Sequence, residues 1–364
     1  MRNPKIRFKN VQGTDFPDWS RSSLGLLCQM YQPTTLSKQS LDDSGPYAVY
    51  GANGIIGKHS QFNHADSEVV VSCRGANCGS VQITKPCSWI NGNAMVVHPR
   101  NRELLKKEFL NYLLSCQNFQ RVTTGGAQPQ ITRVNLSDLM ISIPSFLEQQ
   151  KIASFFSTLD QKIELNERKL EALEKLKKGL MQQIFNQKIS FHCDSGQKFE
   201  PWHEAKLKLF FAKISSGKSQ KSKNGTYPLY GATGVIGKTN DDPYDGEKIL
   251  VARVGSIGKV NFITESVGIS DNTLILSQPN PGLNLKWLFF YFENFELTKL
   301  SSGSSQKLIT STQLKELSVY MPCIEEQQKI SALFSSLDNK IKLFKHRNLL
   351  LHQLKRGLMQ QMFV

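Results

Sequence analysis

The chain has 364 residues, enough for two domains with connections, and a formal net charge of +15 at pH 7. The basic excess is spread along the chain rather than gathered in a tail, which points to a polyanionic partner, nucleic acid first. No apolar run approaches the roughly 18 residues of a membrane-spanning helix, and the seven cysteines follow no zinc-binding spacing, as expected of free thiols in a reducing cytosol.

The first residues, MRNPKIRFKN, lack the apolar stretch that a signal peptide would need. Residues 1–143 read as a mixed α/β domain. Strands are expected at 68–72, 81–84 and 94–97, and a helix at 104–115. Glycine and asparagine punctuate the intervals, notably in the loop Tyr47-Ala-Val-Tyr50-Gly51-Ala52-Asn53-Gly54-Ile-Ile56-Gly57-Lys58.

Residues 144–185 read as one long helix. Apolar positions fall at Ile152, Phe156, Leu159, Ile163, Leu170, Leu173, Leu180 and Ile184, the spacing of a coiled-coil seam. About 37 helical residues make a rod of roughly 55 Å, which cannot bury its seam alone. Ser145 and Glu148 behind Pro144 have capping-box spacing. Lys177 falls where the seam expects an apolar residue, and Leu176 is expected to take over by a local shift.

Residues 186–321 repeat the plan of the first domain. Tyr227-Pro-Leu-Tyr230-Gly231-Ala232-Thr233-Gly234-Val-Ile236-Gly237-Lys238 answers the first glycine loop, and Phe199 with Trp202 answers Phe16 with Trp19. Residues 322–364 repeat the helix. Over 42 aligned positions, 178 residues apart, 22 are identical, and Lys355 beside Leu354 repeats the break in the seam. The shared identities include polar positions, Gln149, Gln150, Gln182 and Gln183, which implies a repeated surface as well as a repeated core.

The expected fold is therefore α+β: two mixed α/β domains (1–143 and 186–321) separated by two long helices (144–185 and 322–364) that pair as an antiparallel coiled coil, with a pseudo-twofold internal repeat. Duplex DNA has twofold pseudosymmetry of its own. Two similar but unequal domains suit an asymmetric target whose halves are split by an unread gap.

Catalytic motifs are absent in any complete form. Ser216-Gly217-Lys218-Ser219 resembles the end of a phosphate loop, but Ala212 stands where its leading glycine belongs. Asp242-Pro243-Tyr244 lacks the second proline of the amino-methyltransferase tetrapeptide, and Asp245 with Glu247-Lys248 has the wrong spacing for a nuclease. Binding groups are better represented. Lys58 and Lys238 close the glycine loops, where an ammonium can meet a phosphate. Arg74 and Arg253 are expected in loops between strands, suited to guanine; Asn93 and Asn272 are suited to adenine. Gln128, Gln130 and Arg133, and Ser304, Gln306 and Lys307 in the second half, lie in or beside small, flexible residues. Each of these is also readable as a solvated loop residue or a turn former.

The tandem plan resembles the DNA-specificity subunit of type I restriction-modification enzymes. The resemblance covers the whole chain. It rests on Pro4-Lys-Ile6-Arg7-Phe8, Phe16 and Trp19, the glycine loops, Gly303-Ser304-Ser305-Gln306-Lys307, and above all Pro144 through Glu148-Gln149-Gln150-Lys151-Ile152 with its copy at Pro322. It implies two target-recognition domains, helices that act as a ruler between half-sites, and no catalysis by this chain. It also implies two modification (methyltransferase) subunits and restriction (translocase-nuclease) subunits as partners on double-stranded DNA in a prokaryotic cytoplasm. Those subunits would hold the cofactors: S-adenosylmethionine, ATP and Mg²⁺. The first domain departs from the second at Gly126-Ala127-Gln128-Pro129. Two other readings are a recognition segment of a fused methyltransferase-nuclease with residual activity, and a coiled-coil scaffold that does not touch DNA.

Overall fold

The computed structural model describes residues 4–126, 128–301 and 307–363. Internal contacts divide the chain into two units, Met1–Glu167 with His346–Val364, and Arg168–Lys345.

In the first unit, β1 (Ser20–Ser23), α1 (Leu24–Leu27) and β2 (Cys28–Tyr31) lead into a hairpin of β3 (Tyr47–Gly51) and β4 (Gly54–His59). Then come β5 (Val69–Ser72), β6 (Val81–Ile83), β7 (Trp89–Ile90), β8 (Ala94–Pro99), α2 (Lys107–Ser115), β9 (Thr123–Thr124), β10 (Gln130–Ile131), α3 (Arg133–Ser137), β11 (Met140–Ile143) and the start of α4 (Phe146–Phe185). Strands pair in the order β2-β8-β5-β6 in one sheet and β4-β3-β7 in another, while β1 pairs with β11 and β9 with β10. Val69, Val70 and Val71 are fully buried between β6 and β8, as a β-branched run in a central strand should be.

The second unit is built the same way from β12 (His203–Lys206), β13 (Ser215–Ser216), β14 (Tyr227–Gly231), β15 (Gly234–Thr239), β16 (Lys248–Ala252), β17 (Val260–Ile263), β18 (Gly268–Ile269), β19 (Thr273–Ser277), α5 (Leu285–Asn294), α6 (Ser311–Glu316), β20 (Ser318–Met321) and the start of α7 (Ile324–Met362). Its sheets run β13-β19-β16-β17 and β15-β14-β18, with β12 on β20. The sequence repeat is thus a repeat of strand order.

In each unit the domain core continues into a pair of helix ends. In the first, Ile152, Phe156, Leu159 and Ile163 of α4 share a core with Trp19, Phe109, Met362 and Phe363, and the rings of Phe156 and Phe363 lie 5.8 Å apart. In the second, Met181 and Ile184 of α4 share a core with Trp202, Trp287, Ile330, Phe334 and Leu337, and Phe185 stacks on Phe334 at 6.0 Å. The beginning of α4 packs on the end of α7 in one unit, and its end packs on the beginning of α7 in the other: the helices run antiparallel. The signature residues Trp19 and Trp202 are core residues beneath these helix ends. α4 stops in a left-handed turn at Gln187 (φ 56°), with Lys188 N–H donating to Gln183 O at 2.8 Å and Gln187 N–H to Ile184 O at 2.9 Å, which satisfies these two carbonyls of the last turn.

Four local expectations change. The glycine loops are hairpins: Ala52-Asn53 and Ala232-Thr233 form the turns, and Gly54 (φ 84°) and Gly234 (φ 124°) take the positive φ that follows. The capping box at Ser145 does not form, because Glu148 is fully buried and takes two hydrogen bonds from Arg7, at 2.8 and 3.1 Å. Leu176 and Leu354 do not replace the seam lysines. Both leucines are about half exposed, while Lys177 and Lys355 stay inward because each finds a carboxylate there. Finally, Gln149 and its copy Gln327 are core, not surface. Gln149 accepts from Lys106 N–H (2.9 Å) and donates to Leu104 O and Pro144 O, closing the segment that starts α2. Gln327 does the same with Asn284 N–H (2.8 Å), Gly282 O and Pro322 O ahead of α5. Gln150, Gln182 and Gln183 are exposed, as are their copies Gln328, Gln360 and Gln361.

Candidate nucleic-acid interface

In the first unit, loops from distant parts of the sequence meet at one cleft of about 730 Å³, lined by Arg74, Gly75, Ala76, Asn93, Gln128, Pro129 and Gln130. Backbone hydrogen bonds hold it together. Cys73 N–H donates to Asn93 O (3.0 Å), Ile131 N–H to Cys73 O (3.0 Å) and Gly75 N–H to Pro129 O (3.3 Å), and Arg74 faces Gln130 in an isolated bridge. The segment after β5, the one before β8 and the β9–β10 hairpin are thereby fixed side by side. Four of the residues singled out from sequence, Arg74, Asn93, Gln128 and Gln130, converge here. Arg74, Asn93 and Gln128 are exposed and Gln130 is half-buried. A guanidinium offers donors in a planar fork and each amide offers both a donor and an acceptor, the groups that base edges require.

The second unit repeats the frame. Arg253 N–H donates to Asn272 O (3.1 Å) and Ile309 N–H to Arg253 O (3.0 Å). Arg253 therefore stands where the first unit has Cys73, and Val254 stands where it has Arg74. The Cys73 thiol is buried and bonded to Asn93 O (3.2 Å) and the Gln32 amide (3.1 Å), whereas Arg253 is half-buried with an enclosed Nε that has no hydrogen bond among the described residues. The frame is shared, and the side chains it presents are not. Asn272 and Lys307 are exposed; Ser304 and Gln306 lie outside the described residues.

The remaining candidates sit elsewhere. Lys58 is an exposed residue of β4 opposite Ala48, and Lys238 an exposed residue of β15 opposite Pro228; neither closes a loop. Arg133 opens α3, capped by Thr132, and does not line the cleft. Sequence reasoning missed the ties between the hairpins and the frame. Asn77 Nδ2 donates to Asn53 Oδ1 (2.9 Å) in the first unit, and Lys259 Nζ donates to Thr233 O (2.9 Å) in the second. No local pattern marks these long-range contacts, although Lys259 does follow the turn glycine Gly258.

The motifs that mimic catalysis are structural. A Cβ on Gly217 would lie 2.1 Å from Ile269 O, so this glycine allows two strands to meet and does not cradle a phosphate. Tyr244 bridges Val267. Lys248 is buried and donates to Glu265 O (2.9 Å), and burial holds its pKa below the ordinary lysine value. Burial pushes the Cys28 thiol up to about 12 and the Cys116 thiol up to about 11, the opposite of nucleophile activation. Among the described residues no group of three or more His, Cys, Asp or Glu side chains is placed to hold a metal ion, and no helix is long and apolar enough to cross a membrane.

The family model for the type I restriction modification DNA specificity domain matches the chain twice, over residues 17–175 and 200–353. The chain belongs to this family. Specificity subunits are the non-catalytic members of type I restriction-modification enzymes, and this chain is one of them. It is similar to the type I restriction enzyme MjaVIII specificity subunit of Methanocaldococcus jannaschii, at 23% identity over 97% of this chain and 94% of that one. The crystal structure of a type I restriction-modification S subunit from Mycoplasma genitalium has the same fold, with TM-score 0.77 and 21% identity over 100% of this chain and 99% of that one. A chain from a structure of the assembling type I system matches at TM-score 0.53 and 16% identity, covering 96% and 98%. Both the specificity-subunit fold and its internal duplication therefore extend over the full length described above.

Proposed function

We propose that this specificity subunit reads an asymmetric, bipartite target in double-stranded DNA, one half-site per domain, and brings modification and restriction subunits to it. The observation that carries the reading is the duplicated loop frame, anchored on Asn93 in one domain and Asn272 in the other, with unlike side chains beside it: Cys73 and Arg74 against Arg253 and Val254. A shared frame meets the common shape of duplex DNA, and unequal side chains make the two half-sites unequal. Arg74, Asn93, Gln128 and Gln130, with Arg253 and Asn272, are the proposed base readers; Lys58, Lys238, Arg133 and Lys307 are proposed phosphate contacts, and Ser304 and Gln306 belong to the same reading segment. The helical residues between the two sets of loops set the unread gap. The exposed repeated glutamines Gln150, Gln182, Gln183, Gln328, Gln360 and Gln361 give the two modification subunits equivalent docking surfaces. Those subunits carry S-adenosylmethionine, and the restriction subunits carry ATP and Mg²⁺, in the prokaryotic cytoplasm.

The test is to map methylated sites in a genome that expresses this chain with its partners, and to measure DNA binding of the chain across salt concentrations. A split, non-palindromic methylated sequence and affinity that falls steeply with salt are expected. A palindromic or ungapped site, or no binding to duplex DNA, overturns the proposal.

A further inference from the structure

The two hairpins share a feature that base reading does not use. In the first, Tyr50 pairs with Ile55 and Val49 with Gly57, so Ile56 is an extra residue; in the second, Tyr230 pairs with Val235 and Leu229 with Gly237, so Ile236 is extra. A bulge of this kind aims two consecutive side chains outward where a regular strand would alternate them. The result is a repeated pair of exposed aliphatic residues: Ile55 is 53% exposed, Ile56 41%, Val235 60% and Ile236 42%. Gly51 and Gly231 make room for the bulge residues, since a Cβ there would come within 3.0 Å of Ile56 and 2.9 Å of Ile236.

The surroundings say what such a pair would meet. The first hairpin carries Lys58 and His59, with Asp42 beside Lys58 through its N–H to Lys58 O (2.8 Å); residues 216–240 carry four lysines, with Asp241 accepting from Gln220 N–H (2.7 Å) and Glu265 from the Tyr230 hydroxyl (3.4 Å). Each hairpin turn is fastened to the reading frame. Ser72 Oγ donates to Ala52 O (2.5 Å) and Asn77 to Asn53 in the first unit, and Lys259 donates to Thr233 O in the second. Exposed aliphatic groups on a lysine-bearing hairpin whose turn is hydrogen-bonded to the proposed reading loop match the wedges with which minor-groove proteins partly unstack a base step. Their repetition beside unlike reading loops suits a contact that depends on duplex shape and not on sequence.

We propose that Ile55 with Ile56, and Val235 with Ile236, are apolar wedges that insert at a base step beside each half-site and unwind the duplex locally; this rests on the DNA-recognition reading above. The test needs no knowledge of the target. The full chain, without partner subunits or ATP, is bound to closed circular plasmid, the plasmid is relaxed with a topoisomerase, and its linking number is read after the protein is removed. Occupancy is measured in parallel by gel shift. The wild-type chain is expected to lower the linking number, Ile55→Ser with Ile56→Ser or Val235→Ser with Ile236→Ser to remove about half of that change per bound chain, and all four substitutions to remove it. These side chains are exposed, so the variants are expected to fold, and thermal unfolding checks that. Binding without unwinding by the wild type, or unwinding unchanged in the variants, overturns the wedge and leaves DNA recognition standing. Unwinding unchanged together with lost capture of a modification subunit also overturns it, and assigns the hairpins to a protein partner. No duplex binding by the wild type overturns the recognition reading itself.

Discussion

Lys177 on α4 places its Nζ 2.7 Å from Asp338 Oδ1 on α7, and Lys355 on α7 places its Nζ 2.5 Å from Asp160 Oδ1 on α4. Asp160 and Asp338 are repeat equivalents, as are Lys177 and Lys355, so each helix gives a lysine and takes one. Further groups complete each pair. Glu293 lies 2.9 Å from Lys177, and the Tyr112 hydroxyl donates to Asp160 at 2.7 Å. Burial works against the Lys177 ammonium, but its hydrogen bonds to Asp338 and Glu293 outweigh burial and hold its pKa above the usual lysine value. Paired charges inside an apolar seam fix helix register, because any slip leaves them without partners.

Lys177→Met is therefore expected to destabilise the second unit by about 2 kcal/mol, since it leaves Asp338 uncompensated against the seam. Adding Asp338→Leu should recover most of that loss. Denaturant unfolding of the single and double variants measures it, and equal losses in both would show that the ion pair is not the cause.

The carboxylates Glu148 and Glu326 occupy matching positions but have different partners. Glu148 is held by Arg7, whereas Ser190 stands at the position of Arg7 in the second half, and buried Glu326 accepts from Trp202 Nε1–H (3.1 Å) and Phe191 N–H (3.3 Å). Burial consequently raises the Glu326 pKa above its ordinary 4.5, although both hydrogen bonds oppose the shift. Glu148→Gln should cost about 2–4 kcal/mol by stranding a partly buried guanidinium, while Glu326→Gln should cost little or nothing at neutral pH. A carboxyl with a raised folded-state pKa binds its proton more tightly when folded. Its contribution to stability is therefore full below 4.5 and is lost as pH rises through the raised value. Wild-type stability should fall relative to Glu326→Gln as pH rises through that window, and pH-dependent denaturation of the two proteins reads the difference directly.

Arg253→Ala tests base reading in the second half-site. Loss of a bidentate guanine contact costs about 1–3 kcal/mol of discrimination and relaxes one position of one half-site. Methylome sequencing of cells carrying the variant should show that single relaxed position. Uniformly weaker methylation with unchanged specificity would mark a phosphate contact.

The ruler is tested by matched insertion of four residues, about one helical turn, between Asp160 and Lys177 in α4 and between Asp338 and Lys355 in α7. Matching the insertions keeps both lysine–aspartate pairs in register. The methylated target should gain gap length and keep both half-sites. A change in the bases read would show that spacing and reading are not separable.

Much of this protein was legible as periodicity. The heptad spacing from Ile152 to Ile184, its copy from Ile330 to Met362, and the paired landmarks Trp19 and Trp202 announced two α/β domains with two long helices, because an internal repeat writes the same burial pattern twice. Arg74, Asn93, Gln128 and Gln130 were visible as polar residues in loops, but their meeting was not: it depends on backbone bonds from Cys73 to Asn93 and Ile131, between residues up to 58 positions apart. Polar residues in repeated positions were the least legible. Gln149 and Gln327 share their identity with exposed neighbours such as Gln150, yet tertiary packing buries them as clamps on α2 and α5. Lys177 reads as a fault in the seam until Asp338 is seen opposite. Periodicity reports which side of an element is buried; whether a polar side chain on that side finds a partner is decided only when distant segments come together.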